Sequence, residues 1–173
     1  MRKSIVKVYQ NFTEIKNALG EKKYYISDKI FGFESEFMLH PGVVQYRLDT
    51  KQQIGDCDEH AIYWCTTIKK SKLAKRVWFA YFSFKKFNPN TNNFMYGAHA
   101  VCVFRGHDNK LYWCDYDVPK EIKNISDFQL SYCNAKKAIP IVGCLWAIDH
   151  INIHDFPQFG KRTRVLPGDD VKL

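Results

Sequence analysis

The sequence contains no C-x-x-C pair, no run of about 18 apolar residues and no glycine-rich phosphate-binding loop. The first absence, with no zinc-finger spacing elsewhere, excludes the usual structural zinc sites, so Cys57, Cys65, Cys102, Cys114, Cys133 and Cys144 are read as free thiols. The second excludes a membrane-spanning helix, and the third excludes the common nucleotide-binding loops. Neither a deaminase zinc motif nor a metalloprotease helix is present, and no cofactor or metal is expected. The N-terminal stretch is basic, but Lys7 interrupts its apolar residues too early for a signal peptide. With free thiols and no membrane segment, a reducing, cytoplasmic setting is expected.

Internal repeats, low-complexity tracts and flexible linkers are also missing, so the 173 residues are read as one domain. What is there supports a real core: 46% of residues are hydrophobic and 16% are aromatic. The formal net charge is +8, with lysines scattered in pairs such as Lys22-Lys23, Lys69-Lys70 and Lys136-Lys137. Scattered charge describes a solvated basic surface before it describes a binding patch, and nucleic acid is the less favoured partner.

Periodicity predicts a short helix over Phe12–Leu19, capped by Asn11 or Thr13. Tyr24-Tyr25-Ile26 and Lys29 to Phe33 read as short strands or irregular packing, and His40-Pro41-Gly42 as a turn. The clearest helix starts at Asp56, where Asp56 and Glu59 form a capping-box pattern ahead of Ala61, Ile62, Trp64, Cys65 and Ile68. Val77 to Phe84 reads as a strand, Phe87 to Tyr96 as an Asn-rich loop, Ser126 to Ala138 as a helix, and Ile141 to Ile153 as containing a further strand. The tail Lys161 to Arg164 is expected to be loosely held.

Between these, Ala98–Phe104 and Leu111–Asp117 flank Gly106-His107-Asp108-Asn109 and read as a β-hairpin. A turn centred on Asp108 makes Cys102 face Cys114 on one side and His99 face Asp117 on the other.

Cysteine catalysis needs a thiolate, a base and a group that orients the base. Cys57 falls in the first helical turn, where unpaired amides and the macrodipole favour a thiolate, and His99 would be the deciding influence on it. Its own amide is one candidate oxyanion donor, and Gln45, Gln52 and Gln53 precede it. His60, one turn later, reads as a structural or solvated residue, and His150 and His154 as the polar side of a strand.

Gly55-Asp56-Cys57-Asp58-Glu59-His60-Ala61, then Gly97-Ala98-His99-Ala100-Val101, then Trp113 with Asp117, resemble the transglutaminase-like superfamily of papain-fold cysteine enzymes over roughly residues 45–120. The resemblance implies an α+β fold with a transglutaminase-like or papain-like core, the nucleophile helix packed on an antiparallel sheet. It also implies Cys57 as nucleophile, His99 as base and Asp117 as orienting carboxylate, with Asp115 as the alternative. Val101 departs from the family, which usually has an aromatic residue there. The implied reaction is acyl transfer through a thioester on an amide, peptide or isopeptide bond of a protein or peptide substrate, with hydrolysis favoured over transfer to an amine. A non-catalytic basic binding module is the competing expectation.

Overall fold

A computed structural model describes residues 4–20, 39–147 and 164–165. Among them the chain is α+β, with helices α1 (Phe12–Leu19), α2 (Pro41–Asp49), α3 (Cys57–Lys70) and α4 (Ile125–Ala135). The strands are β1 (Arg76–Asn88), β2 (Asn93–Arg105), β3 (Leu111–Cys114), β4 (Lys120–Ile122), β5 (Ile139–Ala147) and β6 (Arg164–Val165). They pair antiparallel in the order β4-β3-β2-β1-β5-β6. No helix is long and apolar enough to cross a membrane among the described residues.

Three layers follow from strand alternation. Even-numbered β2 residues Ala100, Cys102 and Phe104 join Val77, Phe79 and Cys114 against Ala61, Ile62, Trp64, Cys65 and Ile68 of α3. Odd-numbered Val101 and Val103 turn the other way, with Trp78, Ala80 and Phe82, onto Phe128 of α4. α1 closes the α3 side by burying Ile15 and Leu19 and stacking Phe12 on Phe104 at 5.1 Å. Trp64, Tyr63, Phe79 and Phe104 are almost fully buried, and a side chain of that kind contributes about 1.5–3 kcal/mol by burial.

α1 forms where the periodicity places it, with Asn11 as its cap. His40-Pro41-Gly42 begins α2 instead of making a turn: Pro41 occupies the first helical turn, where its missing N–H costs nothing, and His40 Nδ1 accepts from the Gly42 amide at 3.0 Å. The segment Phe87 to Tyr96 is not a loop. Strand pairing runs through it to Asn88↔Asn93, and only residues 89–92 turn, with Asn92 at φ 53°. A facing pair, Phe87 and Phe94, holds it with ring centroids 5.6 Å apart.

The β2–β3 hairpin has the predicted register, Cys102↔Cys114 and Val103↔Trp113, but β3 ends at Cys114 and the pairing never reaches His99. α4 is capped by Asn124, two residues before the expected start at Ser126, and ends at Ala135, three residues short of the expected Ala138. Of the expected strand at 141–153, residues 141–147 belong to β5; residues 148–153, His154, the segment 24–33 and Lys161 to Thr163 lie outside the described residues.

Candidate active site

The Gly55–His60 run is built around one carboxylate. Glu59 is 1% exposed, and its Oε2 accepts from the Asp56 amide at 3.0 Å while its Oε1 accepts from the Leu39 amide at 2.8 Å. Asp56 accepts from the Asp58 amide at 3.4 Å and, completing the capping box, from the Glu59 amide. Gly55 has φ 120°, and a Cβ there would collide with the Glu59 carboxylate. The glycine is therefore required both by its backbone angle and by the return path of Glu59. Together these bonds put Cys57 at the first helical position.

There the thiol is half-buried, and its Sγ donates to Asp58 Oδ1 at 3.3 Å. Burial raises the Cys57 pKa first, followed by the charges of Asp58 and Asp56, whereas the backbone amide of Ala100 acts in the opposite sense. Burial also raises the Asp58 carboxyl, helped by its contact with Asp56 and the charge of Glu59. In this arrangement burial and the two aspartates outweigh the Ala100 amide at the thiol.

His99 lies on the opposite face of β2, between Phe82 at 5.7 Å and Tyr132 of α4, which stacks on it at 4.9 Å with 13° between planes. Its Nε2 is 3.0 Å from Asp115 Oδ2, with side chains 9% and 20% exposed. Asp117, expected to face His99, instead pairs with Lys16 at 2.7 Å and accepts from the Val118 amide at 2.8 Å. Lys16 holds the Asp117 carboxyl below its ordinary value. The physical reason is the early end of β3: residues 115–118 bend away, so facing pairs no longer sum as they do in the ladder, and Asp115 swings to the imidazole.

The same strand end leaves the edge of β2 open beside Cys57. β3 pairs only with Cys102–Arg105, so among the described residues β2 has no partner on that side from Asn93 to Val101. Cys57 approaches this open edge from the α3 face, where the Ala100 amide acts on its sulfur, and His99 is the next residue along the strand. Burial raises the Tyr132 hydroxyl pKa first, and the charges of Asp115 and Cys57 raise it further. Its ring stacks on His99, so Cys57, His99, Asp115 and Tyr132 belong to one neighbourhood.

No family model, curated protein or solved structure matches the chain. The chemistry of the site therefore rests on its own geometry.

Sequence reading did not single out Tyr132, although Phe128 and Tyr132 are spaced four apart on α4, an aromatic pair on one helical face. Nor did it foresee the surroundings of His60, which is 2% exposed, packs edge-on against Tyr116 at 4.8 Å, and has no hydrogen-bond partner at either ring nitrogen among the described residues. Burial lowers its pKa to about 4, against the raising charges of Asp115 and Asp56. A hollow of about 440 Å³ lined by Lys16, Trp113, Asp115, Tyr116 and Asp117 opens beside the dyad.

The earlier glutamines are not at the thiol. Gln45 is fully engaged with the Tyr63 hydroxyl at 2.6 Å, the Lys7 amide at 3.1 Å and Asp49 at 3.0 Å, and Gln52 and Gln53 are exposed. Asp56, Cys57 and Asp58 hold ligand atoms within 4.8 Å of one another, yet Asp56 is already the helix cap and Asp58 the thiol's acceptor. Cys57, Cys65, Cys102, Cys114 and Cys133 are free thiols.

Proposed function

We propose that the protein is a transglutaminase-like, papain-like cysteine enzyme that transfers an acyl group through a thioester, with water as the favoured acceptor. Cys57 is the nucleophile, His99 the base and Asp115, in place of Asp117, the orienting carboxylate. The observation that carries this reading is the His99–Asp115 contact at 3.0 Å on the strand whose next amide acts on the Cys57 sulfur. With Nε2–H donating to Asp115, Nδ1 is the ring nitrogen left to accept the thiol proton. Sulfur then attacks the amide carbonyl carbon, the C–N bond breaks, and the imidazolium returns its proton to the departing amine. Water, deprotonated by His99, cleaves the thioester and releases the acid; an amine in its place gives transamidation.

This cycle requires the thiol to leave Asp58 for His99. Substrate binding beside Cys57 would supply that change by displacing the thiol from its carboxyl partner. A binding module without catalysis is the second reading, favoured by the thiol hydrogen held on Asp58. Iodoacetamide labelling mapped peptide by peptide separates the two. The enzyme reading expects Cys57 to label faster than the other cysteines near neutral pH and to slow in His99→Ala. Equal rates in both proteins would overturn it.

A further inference from the structure

The β1–β2 hairpin runs past the rest of the sheet. β5 pairs along β1 only as far as Lys85↔Ile139, and β3 leaves β2 before His99, so from Lys86 to Met95 two strands stand alone among the described residues. Two-stranded ribbons are weakly stable by themselves, and this one exposes the apolar groups that would otherwise be expected to cover it. Phe87 is 47% exposed, Phe94 45%, Met95 50% and Tyr96 75%. Contiguous apolar surface of this kind marks an interaction site, and Tyr, Phe and Met are residues that interfaces favour.

Its charge is one-signed. No Asp or Glu occurs anywhere between Glu59 and Asp108, while Lys85 sits among the exposed rings, its Nζ 4.8 Å from the Phe94 ring centre, and Lys86 pairs with Met95 on the other face. Lys85, Phe87, Phe94 and Tyr96 share the strand face of Ala98 and Ala100, the face from which Cys57 approaches. Gly97 belongs to the other face, where the Phe84 ring lies so close that a Cβ would strike it at 2.8 Å. At about 3.3 Å per residue, Tyr96 stands about 13 Å along the strand from Ala100, the reach of four extended residues.

We propose that this ribbon is a docking arm for an extended, acidic segment of polypeptide carrying aromatic or apolar side chains. The lysines meet the carboxylates, the rings meet the apolar side chains, and the open edge of β2 offers main-chain pairing. A polypeptide fits better than nucleic acid, because the ribbon itself carries two lysines and no arginine, whereas nucleic-acid binding draws on many phosphate contacts. That the docked segment is also the substrate rests on the proposed function; the docking does not.

The test uses the full chain as Cys57→Ala, titrated against a fluorescein-labelled random copolymer of glutamate and tyrosine and followed by polarisation at low salt. Lys85→Glu with Lys86→Glu should weaken binding about tenfold or more, and Tyr96→Ala with Phe94→Ala should do the same without changing charge. Lys123→Glu with Lys137→Glu, the same charge change on exposed residues elsewhere, should leave most of the binding intact. Equal losses in the two charge-reversal pairs would overturn the proposal, as would tighter binding of oligo(dT) that depends on the same ribbon residues. Circular dichroism of each variant checks that the fold persists. Ribbon-dependent binding together with iodoacetamide labelling that ignores His99 would keep the arm and sink the enzyme reading; His99-dependent labelling without ribbon-dependent binding would do the reverse.

Discussion

The first turn of α3 and the rest of that helix bury their side chains for opposite reasons. From Ala61 to Ile68 the buried residues are mostly apolar, and they stabilise by leaving water without needing any single partner. Asp58, Glu59 and His60 are also buried, at 9%, 1% and 2% exposure, but burial of such groups costs energy unless each finds a defined partner. The body of the helix thus contributes stability, and the first turn uses part of it to fix directions: Glu59 to two amides, Asp58 to the thiol, and His60 against Tyr116.

Substitutions at both ends should sharpen this contrast. Trp64→Ala, in the apolar body, should lower unfolding free energy in urea by about 3–5 kcal/mol, the cost of a large core cavity. Glu59→Ala should cost about 2–4 kcal/mol by stranding the amides of Asp56 and Leu39, and unlike Trp64→Ala it should also disturb Cys57 labelling in the folded protein. If Glu59→Ala left stability unchanged, the first turn would not depend on its cap.

His60 supplies a pH test. The unfolded chain takes a proton on this side chain below its ordinary 6.5, whereas the folded chain does not until about 4. Its neutral burial is therefore compatible with stability above 6.5, and about 3 kcal/mol is lost as pH falls from 6.5 to 4. In His60→Phe the fall in unfolding free energy across that window should shrink; an unchanged slope would show that His60 is not the group responsible.

Smaller effects concern the thiol and its neighbours. Burial pushes the Asp58 carboxyl up to about 9, so it is protonated at neutral pH. Asp58→Asn, which exchanges one neutral hydrogen-bonding group for another, should leave Cys57 labelling at neutral pH within about twofold of the parent, measured against Cys57→Ala as blank. A slower rate would mean that Asp58 activates the thiol. Asp115→Asn should weaken any His99 dependence of that labelling, whereas Asp117→Asn should leave it alone, because Asp117 is tied to Lys16. Equal effects would remove the distinction drawn between the two carboxylates.

Much of this arrangement was legible in the chain. The capping pattern at Asp56 and Glu59, the position of Cys57 in the first turn, and the Cys102↔Cys114 register all follow from local spacing. The carboxylate that meets His99 was not legible, since a correct register was carried three residues beyond where the strand stops. The Asn-rich segment at 87–96 misled for a related reason: its composition reads as a loop, and only the Phe87–Phe94 cross-strand pair makes it a ribbon.

The sequence by itself determined the α3 start, the antiparallel hairpin and the order of Cys, His and Asp, because helix caps and tight turns are decided by residues a few positions apart. The tertiary structure alone decided which aspartate meets His99, that His60 is buried neutral beside Tyr116, and that Asp58 holds the thiol. Those outcomes depend on where β3 leaves the sheet and on what the layers bury, and both are set by contacts between elements distant in the chain.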